Sequence, residues 1–255
     1  MHWFLNKIRE YYPNEMEKIY PNRNDFSNFS EALTTYLSYI EFGGLLFLEK
    51  KEEELPEDIS GFVLRSSGTT GRPKLVLYSF DQFLEKFRDV QFNPIKTIMI
   101  MGLNHIGGMD VFFSIVSRGG EVIFPQKVTP QEICRIIEIE KITFLSLSPT
   151  FLNLILLSNS HRKYDISSLK IVNFGAEMMP SSLLDRARNE LPNIDFRQTF
   201  GTTETGTMTV IRHPENPLLI KIPNSKIIDS KLYIKSTHGM IGYLGEDSPI
   251  EDGYF

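Results

Sequence analysis

Short runs of apolar residues alternate along the chain with longer segments in which apolar residues recur at helical spacing. Short apolar runs are typical of buried strands, and a 3.6-residue spacing is typical of helices that bury one face. The runs predict strands at 61–64, 75–78, 97–101, 121–124, 142–145, 169–174 and 194–199. The segments between them predict helices that begin near 79, 129, 149 and 183. Helices between buried strands require crossover connections, so the pattern predicts an α/β fold with a largely parallel sheet flanked by helices.

Two of the predicted helices begin with the sequence of a capping box, a hydroxyl residue followed three positions later by Glu or Gln. Ser79 and Gln82 form one such pair. Thr129 and Glu132 form the other, with a proline at the first helical position. We therefore expect a side-chain cap at both helix starts.

From about Thr207 the helix-length segments end, and short strands and turns such as 231–235 follow. This change of pattern indicates a change of architecture. We expect an α/β domain over residues 1–206 and a small β-rich subdomain over residues 207–255.

The composition excludes several classes of protein. At 255 residues, with 41% hydrophobic and 23% charged residues, the chain has ample material for a core. Its net charge of −5 gives no general attraction to nucleic acid, and no apolar run reaches the length of a membrane span. The single cysteine, Cys134, excludes an internal disulfide and suits a reducing compartment. We expect a cytoplasmic protein with no nucleic-acid partner and no membrane span.

The first candidate for chemistry lies between the strands predicted at 61–64 and 75–78. It consists of Ser66, Ser67, Gly68, Thr69, Thr70, Gly71, Arg72, Pro73 and Lys74. Glycines let the backbone approach a ligand closely, and hydroxyls, N–H groups and a lysine can then hold phosphate oxygens. The segment is not a Walker loop, because Lys74 follows a proline and no helix is predicted after it. A mobile Ser/Thr/Gly linker is the alternative, but strands on both sides favour a polyphosphate cradle.

Polar residues also follow two of the predicted strands. Strand 169–174 runs into Gly175–Glu177, and strand 194–199 runs into Phe200–Gly206. Ligands of open parallel sheets collect outside the carboxyl ends of the strands. If these two strands are neighbours, both segments face one crevice.

The segment after strand 194–199 suits a nucleotide and its metal. Phe200 offers a ring face for stacking a base, and Thr202 or Thr203 can donate to a phosphate oxygen. Glu204 is a hard oxygen ligand of the kind that Mg²⁺ prefers. The alternatives are a core residue for Phe200 and a surface carboxylate on a turn for Glu204.

The segment Ser66–Lys74, followed far downstream by Phe200–Glu204, resembles the two main motifs of the adenylate-forming superfamily. This superfamily comprises acyl- and aryl-CoA synthetases, adenylation domains of peptide synthetases and firefly luciferase. Further segments match in order: Asn104–Gly108, Ser148–Thr150, Gly175–Glu177, Gly239–Leu244 and Asp252–Phe255. The resemblance covers roughly residues 58–255 and implies the layered α/β fold of the large N-terminal domain.

The resemblance also implies an activity, that of an ATP-dependent acid–thiol ligase. A carboxylate attacks the α-phosphate of ATP, pyrophosphate leaves, and the acyl-adenylate passes to a thiol. ATP and Mg²⁺ are the implied cofactors, and coenzyme A is the implied co-substrate. The implied partners are a small carboxylic acid and either coenzyme A or a carrier protein.

Residue roles follow from the same motifs. The implied contacts to the β- and γ-phosphates are Ser66, Ser67, Gly68, Thr69, Thr70, Gly71 and Lys74. The implied contacts around the adenine and the α-phosphate are Gly175, Ala176, Glu177, Phe200, Gly201, Thr202 and Thr203. Among the implied catalytic residues, Thr203 contacts the α-phosphate and Glu204 binds Mg²⁺. His105 flanks the carboxylate tunnel, where Gly107 and Gly108 leave room for the acid, although an ordinary loop histidine is the alternative.

The chain departs from the superfamily at both ends. The region before Ser66 is shorter than is usual in the family. After the position of Phe255 the family continues with Thr-Gly-Asp, a hinge and a small C-terminal domain, which carries a lysine that helps form the adenylate. Loss of one such charged contact commonly costs on the order of 100- to 1,000-fold in rate. We therefore expect the nucleotide- and acid-binding part of a ligase without its C-terminal domain, with impaired activity.

Three questions stay open at the level of sequence. The acceptor is coenzyme A or a carrier-protein thiol. The protein is a ligase or a non-catalytic nucleotide-binding module. The acid itself is not readable, although the neighbouring Met109, Phe112 and Phe113 suggest an apolar one.

Overall fold

A computed structural model describes residues 2–11, 33, 36, 45–47, 60–66, 73–247 and 250–255. The helices in these ranges are α1 (His2–Tyr11), α2 (Phe80–Glu85), α3 (Ile106–Val116), α4 (Pro130–Glu140), α5 (Pro149–Leu157), α6 (Ser160–Lys163) and α7 (Ser181–Glu190). The first eight strands are β1 (Leu45–Phe47), β2 (Gly61–Arg65), β3 (Leu75–Ser79), β4 (Lys96–Ile98), β5 (Glu121–Ile123), β6 (Phe144–Leu147), β7 (Ile171–Phe174) and β8 (Asp195–Gln198). The short strands that follow are β9 (Phe200–Thr202), β10 (Gly206–Met208), β11 (Ile211–Arg212), β12 (Ile220–Lys221), β13 (Ser225–Ile228), β14 (Lys231–Ile234) and β15 (Gly242–Tyr243).

The predicted crossover architecture is confirmed between β6 and β8. These three strands form a parallel sheet in the order β6-β7-β8, and α5, α6 and α7 lie in the connections between them. Strands β4 and β5 form a second parallel pair. The carboxyl ends of β7 and β8 therefore lie side by side, and the segments that follow them leave the sheet at one edge.

A second sheet has mixed direction, in the order β1-β2-β3-β15. Strands β1 and β2 are parallel, whereas β2 with β3 and β3 with β15 are antiparallel. Strand β15 thus pairs with a strand more than 160 residues earlier in the chain, where Gly242 faces Leu77 and Tyr243 faces Val76. The division into units 1–206 and 207–255 stays a prediction, since β15 adds to a sheet formed mainly by the first unit.

The two predicted capping boxes have different outcomes. The Thr129 hydroxyl accepts a hydrogen bond from the N–H of Glu132 at 3.3 Å, so this cap is confirmed. Ser79 precedes α2, but its side chain makes no capping hydrogen bond, so this part of the prediction is wrong. The N–H of Phe80, the first residue of α2, instead donates to the carbonyl of Ser60 at 3.0 Å. A backbone partner from the neighbouring strand thus satisfies the helix start.

An aromatic core joins the mixed sheet to α1, α2 and α3. Its largest fully buried side chains include Phe4, Tyr36, Phe62, Tyr78, Phe80, Phe83, Phe112 and Phe113. The rings of Phe62 and Tyr78 are stacked, with centroids 4.9 Å apart. Met109, Phe112 and Phe113 belong to this core and are fully buried. They stabilise the fold, and none of them is among the described residues that line the cleft at the ends of β6, β7 and β8, so the inference of an apolar acid from them is not supported.

A second core lies between the parallel sheet and its helices. It contains Ile137, Leu145, Val172 and Phe196, together with Cys134. Burial raises the pKa of the Cys134 thiol to about 12, so the thiol stays protonated and unreactive. Cys134 therefore has a packing role.

Candidate functional site

A cleft of about 890 Å³ opens at the carboxyl ends of β6, β7 and β8, where they meet the mixed sheet. It brings together ten of the predicted site residues: Ser66, Lys74, His105, Gly175, Ala176, Phe200, Gly201, Thr202, Thr203 and Glu204. Five others, Ser67, Gly68, Thr69, Thr70 and Gly71, lie outside the described residues. The described ends of the first motif, Ser66 and Lys74, therefore lie in one cleft with the second motif.

The two ends of the candidate phosphate loop are held together. The N–H of Ser66 donates to the carbonyl of Lys74 at 2.9 Å, and the N–H of Lys74 lies 3.4 Å from the Ser66 hydroxyl oxygen. The segment thus leaves β2 and enters β3 at adjacent points of the cleft. No helix begins at Lys74, as the proline before it predicted, because Leu75 starts a strand.

The segment that follows β7 lies close to the segment that follows β8. A side chain at Gly175 would place its Cβ 2.4 Å from the Thr199 hydroxyl oxygen, so only glycine fits there. Ala176 has a φ of 66°, in the left-handed region that non-glycine residues seldom adopt. Strained backbone of this kind is frequent at ligand sites. Because the two segments are so close, Gly175 and Phe200 share one wall of the cleft.

Glu177 has a different place from the one expected. Its carboxylate accepts hydrogen bonds from the N–H of Thr150 at 3.1 Å and from the Thr150 hydroxyl at 2.5 Å. Thr150 lies in the first turn of α5, where free N–H groups attract a negative charge. The Glu177 side chain therefore stabilises the start of a helix and does not line the cleft.

The segment after β8 is a tight hairpin. Strands β9 and β10 pair, with Gly201 opposite Thr207. A Cβ at Gly201 would lie 2.4 Å from the carbonyl oxygen of Gly206, so the close approach of the two strands requires glycine. The Thr202 hydroxyl accepts hydrogen bonds from the N–H groups of Glu204 and Thr205, at 3.2 and 3.1 Å. The hydroxyl of Thr202 therefore orders the turn.

The neighbouring Thr203 differs in this respect. Within the described ranges its hydroxyl has no hydrogen-bond partner, and the residue is half-buried on the cleft wall. The Thr202 hydroxyl also lies 3.2 Å from the Thr205 hydroxyl, so Thr203 is the one of the two threonines whose hydroxyl has no such contact among the described residues.

Two side-chain hydroxyls and one backbone N–H from other parts of the chain fix the backbone of this turn. The Tyr78 hydroxyl donates to the carbonyl of Thr203 at 2.8 Å, and the N–H of Met240 donates to the carbonyl of Glu204 at 2.8 Å. The Ser236 hydroxyl donates to the carbonyl of Thr205 at 2.7 Å. Burial raises the pKa of Tyr78 well above its usual value, so its hydroxyl remains a donor. The turn is therefore anchored by both the mixed sheet and the β-rich segment.

Glu204 contacts an aromatic residue that the sequence did not single out as a site residue. The Tyr243 hydroxyl donates to Glu204 Oε1 at 3.2 Å. Burial, followed by the nearby Glu204 charge, raises the pKa of Tyr243 to about 12, so the hydroxyl keeps its proton at neutral pH. Lys74 Nζ lies 4.5 Å from the centroid of the same ring and 2.9 Å from Glu246 Oε2. Two candidate site residues from separate motifs thus contact one tyrosine.

Among the described residues that line the cleft, Glu204 is the only one with a side-chain carboxylate, so a metal bound there would need further ligands. Among the residues that the structure describes, no three His, Cys, Asp or Glu side chains form a metal-binding group. Mg²⁺ is usually held by one or two carboxylates together with waters and substrate phosphates. Glu204 lines the cleft and offers such a carboxylate. The donor set therefore fits Mg²⁺ that arrives with a polyphosphate.

His105 lies on the rim of the cleft, immediately before α3. Gly107 also lines the cleft, whereas Gly108 does not. A Cβ at Gly108 would lie 2.2 Å from the carbonyl oxygen of Gly102, so Gly108 lets α3 pack against the preceding loop. Contrary to the expectation, only Gly107 of the two glycines borders the space for a ligand.

Other lining residues were not predicted as site residues. They are Met101, Ile106, Ser146, Leu147, Ser148, Thr199, Thr205, Thr207, Leu232, Ile234, Tyr243 and Phe255. Ser146–Ser148 end strand β6, so the rule that placed Gly175 and Phe200 would have found them too. Tyr243 has no comparable signal, because its contact with Glu204 depends on the pairing of β15 with β3.

The family model for AMP-binding enzymes matches residues 11–237. The chain belongs to this family. It is 28% identical over 227 residues to 2-succinylbenzoate–CoA ligase of Staphylococcus aureus (strain MRSA252), covering 78% of this chain and 44% of that protein. It is 30% identical over 177 residues to acyl-CoA synthetase 7 of Caenorhabditis elegans, covering 64% of this chain and 33% of that protein. The chain thus spans less than half the length of these two relatives.

A solved structure has a similar fold. The luciferase-like enzyme from the nonluminescent Zophobas morio mealworm superimposes with a TM-score of 0.65 at 22% identity, covering 81% of this chain and 55% of that one. The expected α/β fold of the large domain is confirmed. In the ranges that the structure covers, no helix is both long and apolar enough to span a membrane.

Proposed function

We propose that this AMP-binding family member activates a carboxylic acid with ATP to form an acyl-adenylate. The observation that carries the proposal is the meeting of Lys74, Thr203 and Glu204 in one cleft with the Gly175–Ala176 turn and Phe200. A volume of about 890 Å³ is within the range of small-molecule sites, roughly 300–1,000 Å³. The cleft has both polar groups for phosphates and a ring for a base.

The polar residues of the cleft suit the attack of a carboxylate on the α-phosphate of ATP, a reaction between two anions. Lys74 supplies a positive charge beside the phosphate loop, and the free Thr203 hydroxyl supplies a donor. Glu204 offers the carboxylate for Mg²⁺, which when bound supplies charge neutralisation at the phosphates. Transfer reactions at phosphorus depend mainly on such positioning and charge stabilisation. His105 lies at the rim of the cleft, where it would lie beside the carboxylic acid as the acid enters.

The fate of the acyl-adenylate is a further part of the proposal. Two relatives are named as CoA ligase and acyl-CoA synthetase, which supports coenzyme A as the acceptor thiol. A carrier-protein thiol is the competing acceptor. Incubating the protein with ATP, a panel of acids and either coenzyme A or a phosphopantetheinylated carrier would separate the two by the thioester formed. A cytoplasmic location remains a prediction of the sequence.

Calorimetry with ATP, with and without Mg²⁺, tests the site directly. We expect the wild type to bind ATP more tightly with Mg²⁺, and Glu204→Ala to lose this metal-dependent gain. Glu215→Ala is the matched control, because its carboxylate is exposed and lies outside the cleft. Equal metal dependence in all three proteins would remove Glu204 from its proposed role.

Exchange of labelled pyrophosphate into ATP in the presence of an acid panel tests the reaction. Acid-dependent exchange would support acyl-adenylate formation. Binding of ATP and Mg²⁺ without exchange for any acid would instead support a nucleotide-binding module.

A further inference from the structure

We propose that Tyr243 is a positioning residue that holds Glu204 and Lys74 in one arrangement for a metal–polyphosphate ligand. The proposal rests on the proposed function of the cleft. Tyr243 lies in the β-rich segment at the end of the chain, so this segment would contribute a residue to the phosphate site.

The backbone of Tyr243 is held rigidly beside Lys74. On one side of it the N–H of Ile241 donates to the carbonyl of Leu77 at 2.8 Å. On the other side the N–H of Leu244 donates to the carbonyl of Leu75 at 2.9 Å. Strand β3 starts immediately after Lys74, so these bonds set the distance between the tyrosine and the lysine.

The side chain of Tyr243 contacts the two charged groups with different parts. Its hydroxyl donates to Glu204 Oε1 at 3.2 Å, and its ring lies 4.5 Å from Lys74 Nζ. A hydrogen bond to a carboxylate restricts the orientation of the carboxylate, and an aromatic face attracts an ammonium group. The hydroxyl and the ring can therefore be tested separately.

The Tyr243 hydroxyl would not bind the metal itself but would orient Glu204, the carboxylate that binds it. Residues that orient a metal-binding carboxylate typically change metal affinity by about 10- to 100-fold when they are removed. Tyr243→Phe removes only the hydroxyl. We expect the Mg²⁺ concentration for half-maximal ATP binding to rise by at least about 10-fold, with ATP binding in the absence of Mg²⁺ unchanged within about twofold.

The ring contributes through Lys74. Tyr243→Leu removes the ring as well, so the Lys74 ammonium loses its aromatic contact. Cation–π contacts at exposed sites correspond to roughly a two- to fivefold change in affinity. We expect this variant to show the Mg²⁺ defect of Tyr243→Phe and, in addition, ATP binding without Mg²⁺ weakened by about that factor.

The measurement is a titration of ATP by calorimetry at several fixed Mg²⁺ concentrations and in the presence of a chelator. Tyr164→Phe is the matched control, since Tyr164 is half-buried outside the cleft. Thermal unfolding of each variant shows whether it is folded. If Tyr243→Leu does not fold, Tyr243→Phe in a Glu204→Gln background provides the second test. There we expect no further change in Mg²⁺ dependence, because the acceptor of the hydrogen bond is already altered.

The outcomes distinguish this inference from the proposed function. Tyr243→Phe with the Mg²⁺ dependence of the wild type would overturn the positioning role and leave the nucleotide site intact. Equal Mg²⁺ defects from Tyr243→Phe in both backgrounds would also overturn it. A wild-type protein that binds no ATP at any Mg²⁺ concentration would instead contradict the proposed function itself.

Discussion

The same substitution at two adjacent glycines at the start of α3 should destabilise the protein at one position and leave its stability nearly unchanged at the other. A Cβ at Gly108 would lie 2.2 Å from the carbonyl oxygen of Gly102 and 3.0 Å from that of Met101. Both contacts are with backbone, which cannot move aside without shifting the helix or the loop. A Cβ at Gly107 would instead lie 3.1 Å from the terminal methyl of the Met101 side chain, which can rotate away.

These contacts determine the expected free energies of unfolding. Overpacking of a rigid interior typically costs about 1–3 kcal/mol, while replacing glycine by alanine in a helix gains up to about 1 kcal/mol. For Gly108→Ala we expect the clash to exceed the gain, with a net loss of about 1–2 kcal/mol. For Gly107→Ala we expect stability within about 1 kcal/mol of the wild type.

Urea unfolding of the three proteins, followed by circular dichroism, measures the difference. In thermal unfolding a loss of this size corresponds to a fall in Tm of about 2–8 °C for a protein of this size class. The substitution at Gly107 also narrows the cleft, so we expect it to affect acid-dependent exchange more than stability. A Gly108→Ala protein as stable as the wild type would refute the inferred close packing of α3 on the loop.

Three further predictions concern charged residues. Lys74→Ala should weaken ATP binding by about 10-fold or more, because hydrogen bonds to charged groups contribute about 1.5–3 kcal/mol. Lys127 lies in an exposed loop, so Lys127→Ala should leave ATP binding unchanged, and calorimetry compares the two variants. Glu246→Gln should tighten ATP binding in the same assay, because it removes a carboxylate that competes with phosphate for Lys74. Exposed ion pairs contribute about 0–1 kcal/mol, so we expect a gain of up to about fivefold. Unchanged or weaker binding would contradict this competition. A hydrogen bond from Arg186, with others, lowers the pKa of Glu190 to about 2, so its stabilising effect is present above pH 4.5 and is lost as the pH falls toward 2. Glu190→Gln should therefore be less stable at pH 7 and lose less stability than the wild type between pH 4.5 and 2, as measured by urea unfolding; parallel pH profiles would contradict this.

Most of the order of strands and helices between residues 61 and 199 could be predicted because it depends on local patterns, but helices α3 and α6 were not predicted. Apolar runs mark buried strands, and the carboxyl-edge rule then places Gly175 and Phe200 at one edge of a parallel sheet. Both reach the same cleft in the structure. Lys74 and Glu204 line the same cleft, and the basis for expecting both near a nucleotide was the resemblance.

The structure differs from the expectations where one residue type suits two environments. Glu177 follows a strand as a ligand-binding residue would, yet it accepts two hydrogen bonds from Thr150 at a helix start. Phe112 and Phe113 follow the candidate acid-binding segment, yet both are fully buried in the aromatic core. A helical spacing shows which face is buried but does not identify what packs against it.

The sequence by itself determined most of the strand and helix pattern and the polar ends of two strands, because each of these depends on residues close together in the chain. It also predicts a phosphate loop, most of which lies outside the described residues. Only the tertiary structure decided which groups share the cleft. Tyr243 contacts Glu204 and Lys74 because β15 pairs with β3, across more than 160 residues of chain. Such contacts depend on the packing of whole elements, and no local pattern of side chains specifies them.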